Sequence, residues 1–264
     1  MRRSCLLLLA LLAAPAALAE DEEALRRETG ELLGRVLERT TRPREEQAEL
    51  VLTVSRQGRP FDRAARVEVS WRQVAGGEEL RLRFREPPAL QDHAWLQVWR
   101  GDEVTCWRWT PERPRPERVT PLPDSWRLTG SGLTLDELRG ERAGAHTWRL
   151  LGEERRPVGD GAGPGQLLHL LEAAPRAGEA GHPGAARRLL KVEVEHRLPL
   201  ELEWQDARGK RLKTARLGDW RALRGRLRPF ALEYTEPDQV TRVRASLRRD
   251  QAPAEHFAPS VFWR

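Results

Sequence analysis

The sequence predicts a mainly β fold, built from antiparallel strands behind an N-terminal helix, with a second, short helix in mid-chain. Three observations carry this. Apolar residues recur at helical spacing near the start, at Leu25, Leu32, Leu33, Val36 and Leu37. From Leu50 onward the period is two, as in Leu50, Leu52, Val54 and again in Val67, Val69, Trp71. Turns rich in Gly, Pro and Asp separate these runs at hairpin spacing.

The first residues read as an export signal. Arg2 and Arg3 are followed by an apolar core, Leu6 to Leu12, broken only by Ala10, and then by Pro15 and Ala17-Leu18-Ala19 before Glu20. Cleavage after Ala19 is expected. The apolar run is too short to span a bilayer, which takes about 20 residues. Cys5 precedes the apolar core, so it is not placed for lipid attachment. Cys106 is then the sole thiol of residues 20–264, and no internal disulfide can form there. The formal net charge is +6, and lysine occurs only at Lys191, Lys210 and Lys213, so the basic charge is almost all arginine. No nucleic-acid partner is expected of an exported chain.

The helix is expected over residues 22–40, ended by Pro43. Hairpins follow. One turns at Ala75-Gly76-Gly77 with Leu80, Leu82 and Phe84 on the return. Another has arms at residues 95–99 and 104–109 about Gly101-Asp102-Glu103. Five prolines between Pro111 and Pro123 predict a long loop and not sheet. Thr134 and Glu137 have capping-box spacing, so a short helix starts there. Strands are expected at 146–152, 166–173, 188–196, 200–206, 210–217, 229–235 and 240–247, with no second domain after residue 20.

The order of certain segments resembles the outer-membrane lipoprotein-sorting family, the LolA-like periplasmic carriers. The segments are Leu82-Arg83-Phe84-Arg85-Glu86-Pro87, Ala94-Trp95-Leu96, and Trp107-Arg108-Trp109-Thr110-Pro111. They continue with Thr129-Gly130-Ser131-Gly132-Leu133-Thr134-Leu135-Asp136-Glu137-Leu138, the hairpin 200–213, and His256-Phe257-Ala258-Pro259. The family's aromatic at the position of Leu133 is missing. The resemblance implies a half-open β-barrel whose concave apolar face is covered by the N-terminal and short helices. It implies a periplasmic, monomeric carrier or chaperone binding the acyl chains of a lipoprotein or lipid, with an inner-membrane transporter as a candidate partner and no cofactor. An acyl chain exposed to water costs about 0.8 kcal/mol per methylene, so a carrier needs a dry slot. The same half-barrel also suits a sensor that binds a membrane partner.

Ten tryptophans stand against one tyrosine. Trp95 and Trp99 share one strand face by parity, as do Trp107 and Trp109. With Leu82, Phe84, Leu133 and Leu135 they are the candidate cavity lining, weighed against plain core packing. Between Arg208 and Arg228 nine basic residues accompany one acid, Asp219. Arg211, Lys213, Arg216 and Trp220 are candidates to meet anionic headgroups or an acidic partner, against the alternative of a solvated strand face. The six histidines are scattered, with no pair at metal-ligand spacing. Ser131 lacks a base nearby in sequence, so no catalytic or metal residue is predicted. A hydrolase would have to be assembled in space.

Overall fold

A computed structural model describes all residues except 1–3, 43–44, 57–58, 141, 158–164, 178–181, 224–225, 250–256 and 258–264, and no side chains at 4–19, 60–64, 114 and 247–248. Helix α1 (Ser4–Thr41) leads into strands β1 (Glu45–Arg56), β2 (Arg59–Val74), β3 (Gly77–Glu86), β4 (Ala94–Arg100), β5 (Glu103–Thr110) and β6 (Arg113–Val119). Helix α2 (Leu135–Arg139) follows. Then come β7 (His146–Arg156), β8 (Gln166–Pro175), β9 (Arg187–Glu193), β10 (Leu198–Gln205), β11 (Arg211–Leu223), β12 (Arg226–Thr235) and β13 (Gln239–Arg249).

The strands form one 13-stranded sheet in the order β6-β5-β4-β3-β2-β1-β13-β12-β11-β10-β9-β8-β7. Each described pairing is antiparallel. The sheet curls into an open half-barrel, as expected. Its inner face buries one continuous apolar cluster, because strands such as β1 and β9 alternate with period two. Leu50 and Leu52, Val67 to Trp71, Leu80 to Phe84, Leu190, Trp204, Ala215 and Tyr234 all meet there. Leu37 of α1 and Leu128, Leu133, Leu135 and Leu138 from mid-chain close it.

Three details differ from expectation for physical reasons. The segment with Pro114 and Pro116 is strand β6, which lies at the sheet's edge, where a missing N–H costs no ladder bond. Helix α1 is longer than expected and runs back through residues 4–19. Only part of its expected apolar stripe packs, with Leu37 in the core and Leu33 against it. Leu25 and Leu32 are exposed, and the contact to β7 is made by Gly30 and Gly34 with Leu37 beyond them. A Cβ at Gly34 would lie 2.6 Å from the ring of buried Trp148, and one at Gly30 would lie 2.6 Å from the Arg149 backbone. Only glycine permits this approach.

That approach protects the sheet's other edge. Glu31 of α1 accepts a hydrogen bond from the backbone N–H of Trp148 in β7 (3.2 Å), and Glu23 accepts from Arg149 (2.7 Å). One edge is blunted by proline and the other is covered by a helix.

Candidate functional site

Residues 124–142 cross the inner face of the sheet, and local chemistry shapes them. Thr134 Oγ1 accepts from the N–H of Glu137 (3.4 Å), and Glu137 Oε2 accepts from the N–H of Thr134 (2.8 Å). This is the expected capping box, starting α2. Just before it, Gln97 of β4 pins the chain by bonding both the N–H and the carbonyl of Leu122.

Among the described residues, every link from this covering segment to the sheet runs through a side chain. Trp71 Nε1 donates to the Leu138 carbonyl (2.7 Å), and Thr241 Oγ1 accepts from the Gly132 N–H (2.8 Å). Arg127 pairs with Glu236 (2.6 Å), and Arg139 pairs with Glu78 and Asp124. The Glu236 carboxyl, despite the burial that raises it, is held below the usual range by Arg127 and Gln239. Lys213 of β11 is 1 % exposed and donates to both the Glu137 carboxylate and the Gly132 carbonyl. Its Nζ also sits 4.8 Å from the Trp204 ring and 4.4 Å from that of Tyr234.

Between this segment and strands β10 to β13 lies a cavity of about 130 Å³. Its body is apolar: Trp71, Leu133, Leu138, Leu202, Trp204, Ala215 and Tyr234. Asp136, Arg142, His146, Arg188 and Glu46 add polar groups to the lining, and Trp220 contributes a further apolar wall.

His146 is 5 % exposed; its Nε2 accepts from Arg188 (3.2 Å) while Nδ1 faces the Arg142 carbonyl (3.4 Å). Burial, then the Arg188 charge, push its pKa down to about 4. The unfolded chain therefore takes up this proton near pH 6.5 and the folded chain only near 4, so stability is full above pH 6.5 and falls as the pH drops towards 4. The penalty is of order 3 kcal/mol at the acid end. Urea melts at pH 7 and pH 4.5 should show a steeper acid loss for the wild type than for His146→Gln; equal losses would assign the acid sensitivity elsewhere.

The candidate residues separate into three places. Leu82, Phe84, Trp95, Trp99 and Leu135 lie on the inner face but pack as core, away from the cavity. Phe84 and Trp95 meet edge to face at 5.4 Å, and Arg139 stacks on Trp99 at 4.1 Å. Leu133 alone of the eight lines the cavity. Trp107 and Trp109 lie on the opposite face, packed with Leu96, Val98 and Phe257. Their partners across the ladder are Leu96 and Ala94, whose side chains point outward. On the basic stretch, Arg211 and Arg216 are exposed, but Lys213 is buried as described and is no surface residue. The cavity walls from β10 to β13 were not singled out by sequence, although their period-two pattern was visible. Cys106 is fully buried in β5, and burial pushes its thiol up to about 11, which leaves it unreactive. Glu193, Glu195 and His196 cluster at the β9–β10 turn, where the Glu193 carboxylate accepts from the backbone N–H groups of the other two (2.6 and 2.7 Å).

A family model described as "Uncharacterized protein"-like matches residues 76–254, well over half of the chain. The chain belongs to this family. No curated protein matches it. Solved structures similar to this family member include a putative outer membrane lipoprotein-sorting protein domain from Vibrio parahaemolyticus. It has 18 % identity and a TM-score of 0.73, over 90 % of this chain and 100 % of that one. A DUF1329 family protein from Desulfovibrio piger gives 16 % and 0.74, over 90 % and 99 %. A LolA superfamily protein from Nitrosomonas europaea gives 16 % and 0.64, over 87 % and 97 %. The family member therefore has the lipoprotein-sorting half-barrel fold that its sequence resembles.

Proposed function

We propose that the protein is a periplasmic carrier that takes the acyl chain of a lipid or lipoprotein into the cavity beneath residues 124–142. The observation that carries this reading is the cavity itself. Its lining is mostly apolar with a few polar groups, and among the described residues its cover is linked to the sheet through side chains. An apolar cavity of about 150 Å³ holds one benzene ring, so the closed state takes a chain end only. A whole acyl chain enters as the covering segment lifts. Lifting breaks side-chain pairs and leaves every strand ladder intact. In this reading residues 1–19 are a signal peptide removed after Ala19, residues 20–264 work as one domain, and no covalent step is involved. The structural likeness to a lipoprotein-sorting domain supports it.

The test is native mass spectrometry of protein purified from the periplasm, followed by organic extraction. A stoichiometric phospholipid or acylated peptide is expected. Protein that is free of lipid and also refuses added fatty acid would overturn the carrier reading in favour of a protein-binding role.

A further inference from the structure

We propose that the outer part of the β11–β12 ribbon, residues 217–223 with 226–230, is an arm that docks the protein on an anionic lipid surface. Strands β11 and β12 pair from Thr214↔Thr235 to Leu223↔Arg226. Their outer neighbours stop early. β10 pairs with β11 only as far as Arg216, and β13 pairs with β12 only as far as Ala231. Residues 217–223 and 226–230 thus leave the sheet as a two-stranded ribbon. Such a ribbon is marginal in water unless something holds it. Here the base is held: Arg228 is 3 % exposed and donates to the Glu46 carboxylate (3.0 Å) and to the carbonyls of Thr40 and Arg42 at the end of α1.

The ribbon beyond that base has the composition of a bilayer interface. Trp220 is half-buried and lines the cavity, and its indole nitrogen is buried with no hydrogen-bond partner among the described residues. Leu223 and Leu227 are half-buried, and Ala222 is exposed. Around them the charge is positive. Of the nine cations between Arg208 and Arg228, Lys213 and Arg228 are taken up by buried pairs, whereas Arg216 (75 % exposed, 3.8 Å from Glu201) and Arg221 (59 % exposed, 2.7 Å from Asp219) carry their charge at the surface. Arg242 and Arg244 of β13 are exposed beside them. Tryptophan settles at headgroup depth, leucine below it, and arginine pairs with phosphate. An acidic protein would satisfy the arginines and leave Leu223 and Leu227 against polar surface; an anionic bilayer takes both. Because Trp220 belongs to the arm and to the cavity lining, a docked arm sets that wall of the cavity against the membrane.

The test is sedimentation of the mature chain with vesicles of phosphatidylcholine, with and without phosphatidylglycerol. Binding is expected only with phosphatidylglycerol, weakening as salt rises. Two variants, Leu223→Asp/Leu227→Asp and Arg216→Glu/Arg221→Glu/Arg226→Glu, should each bind these vesicles at least about tenfold more weakly while melting like the wild type. Both should still take up a fluorescent fatty acid in solution, which separates this inference from the carrier reading. Absence of binding to the anionic vesicles, or binding that survives either variant, overturns it. Survival in the leucine variant alone would mean attraction by charge without insertion, the behaviour of a site for an acidic protein.

Discussion

Replacing Ala215 with phenylalanine should reduce uptake of a fluorescent fatty acid by more than about tenfold while the protein still melts cooperatively. Ala215 is 2 % exposed, lies on β11 across from Leu202 and Tyr234, and forms part of the cavity wall. A benzyl group added there occupies most of a space this size. Overpacking costs about 1–3 kcal/mol, which a sheet of this extent tolerates, so loss of uptake would not reflect loss of the fold. Leu217→Trp supplies an independent plug, because Leu217 is half-buried and lines the same cavity. Undiminished uptake in both variants would exclude this cavity as the place where an acyl chain is held.

The second large effect should come from Lys213→Met. The ammonium group is wholly inside, donating to Glu137 and to the Gly132 carbonyl and facing two aromatic rings. Removing it strands the Glu137 carboxylate, whose side chain is 9 % exposed, and deprives Gly132 O of its donor. Breaking one side of such a pair costs about 3–5 kcal/mol. For a chain of this length that lowers the melting temperature by about 6–20 °C. The double variant Lys213→Met/Glu137→Gln should recover over half of the loss, since neither group is then an isolated charge. Hydrogen exchange in residues 128–138 should quicken in the single variant before the strands loosen. A loss under about 1 kcal/mol would show that the cover is held by its leucines and not by this pair.

How much of this was legible in the sequence depends on how local each signal is. The hairpins from Leu50 to Trp109 were readable because period-two alternation and turn residues are neighbours in the chain. So was the capping box, whose two partners stand three residues apart. Strand β6 was not, because a proline strand is tolerated only at an edge, and edges are set by strand order. The α1 contact was legible at Leu33 and Leu37 but not at Gly30 and Gly34, because a glycine seat leaves no apolar stripe. Parity correctly put Trp107 and Trp109 on one face, but only their register with Leu96 and Ala94 says that this face is the outer one. Lys213 reads as one charge in a basic run, and its partner Glu137 lies 76 residues away. The cavity itself arises because β13 pairs with β1 and carries β10 to β12 beside the covering segment, which no local pattern encodes.

A sheet that ends in β6 on one side and β7 on the other never joins into a ring. In a closed barrel the girth is fixed by strand number and shear, and widening it means tearing a ladder. Here the circumference has a seam. The sheet can uncurl slightly, as a spring clip does, with each strand keeping its neighbours. If it carries cargo as proposed, cargoes of different thickness would cost elastic strain spread over twelve strand junctions instead of ruptured hydrogen bonds at one. The glycine-seated helix on β7 rides with its own edge as the clip opens. Under the carrier reading, this compliance would let one scaffold serve ligands of more than one girth.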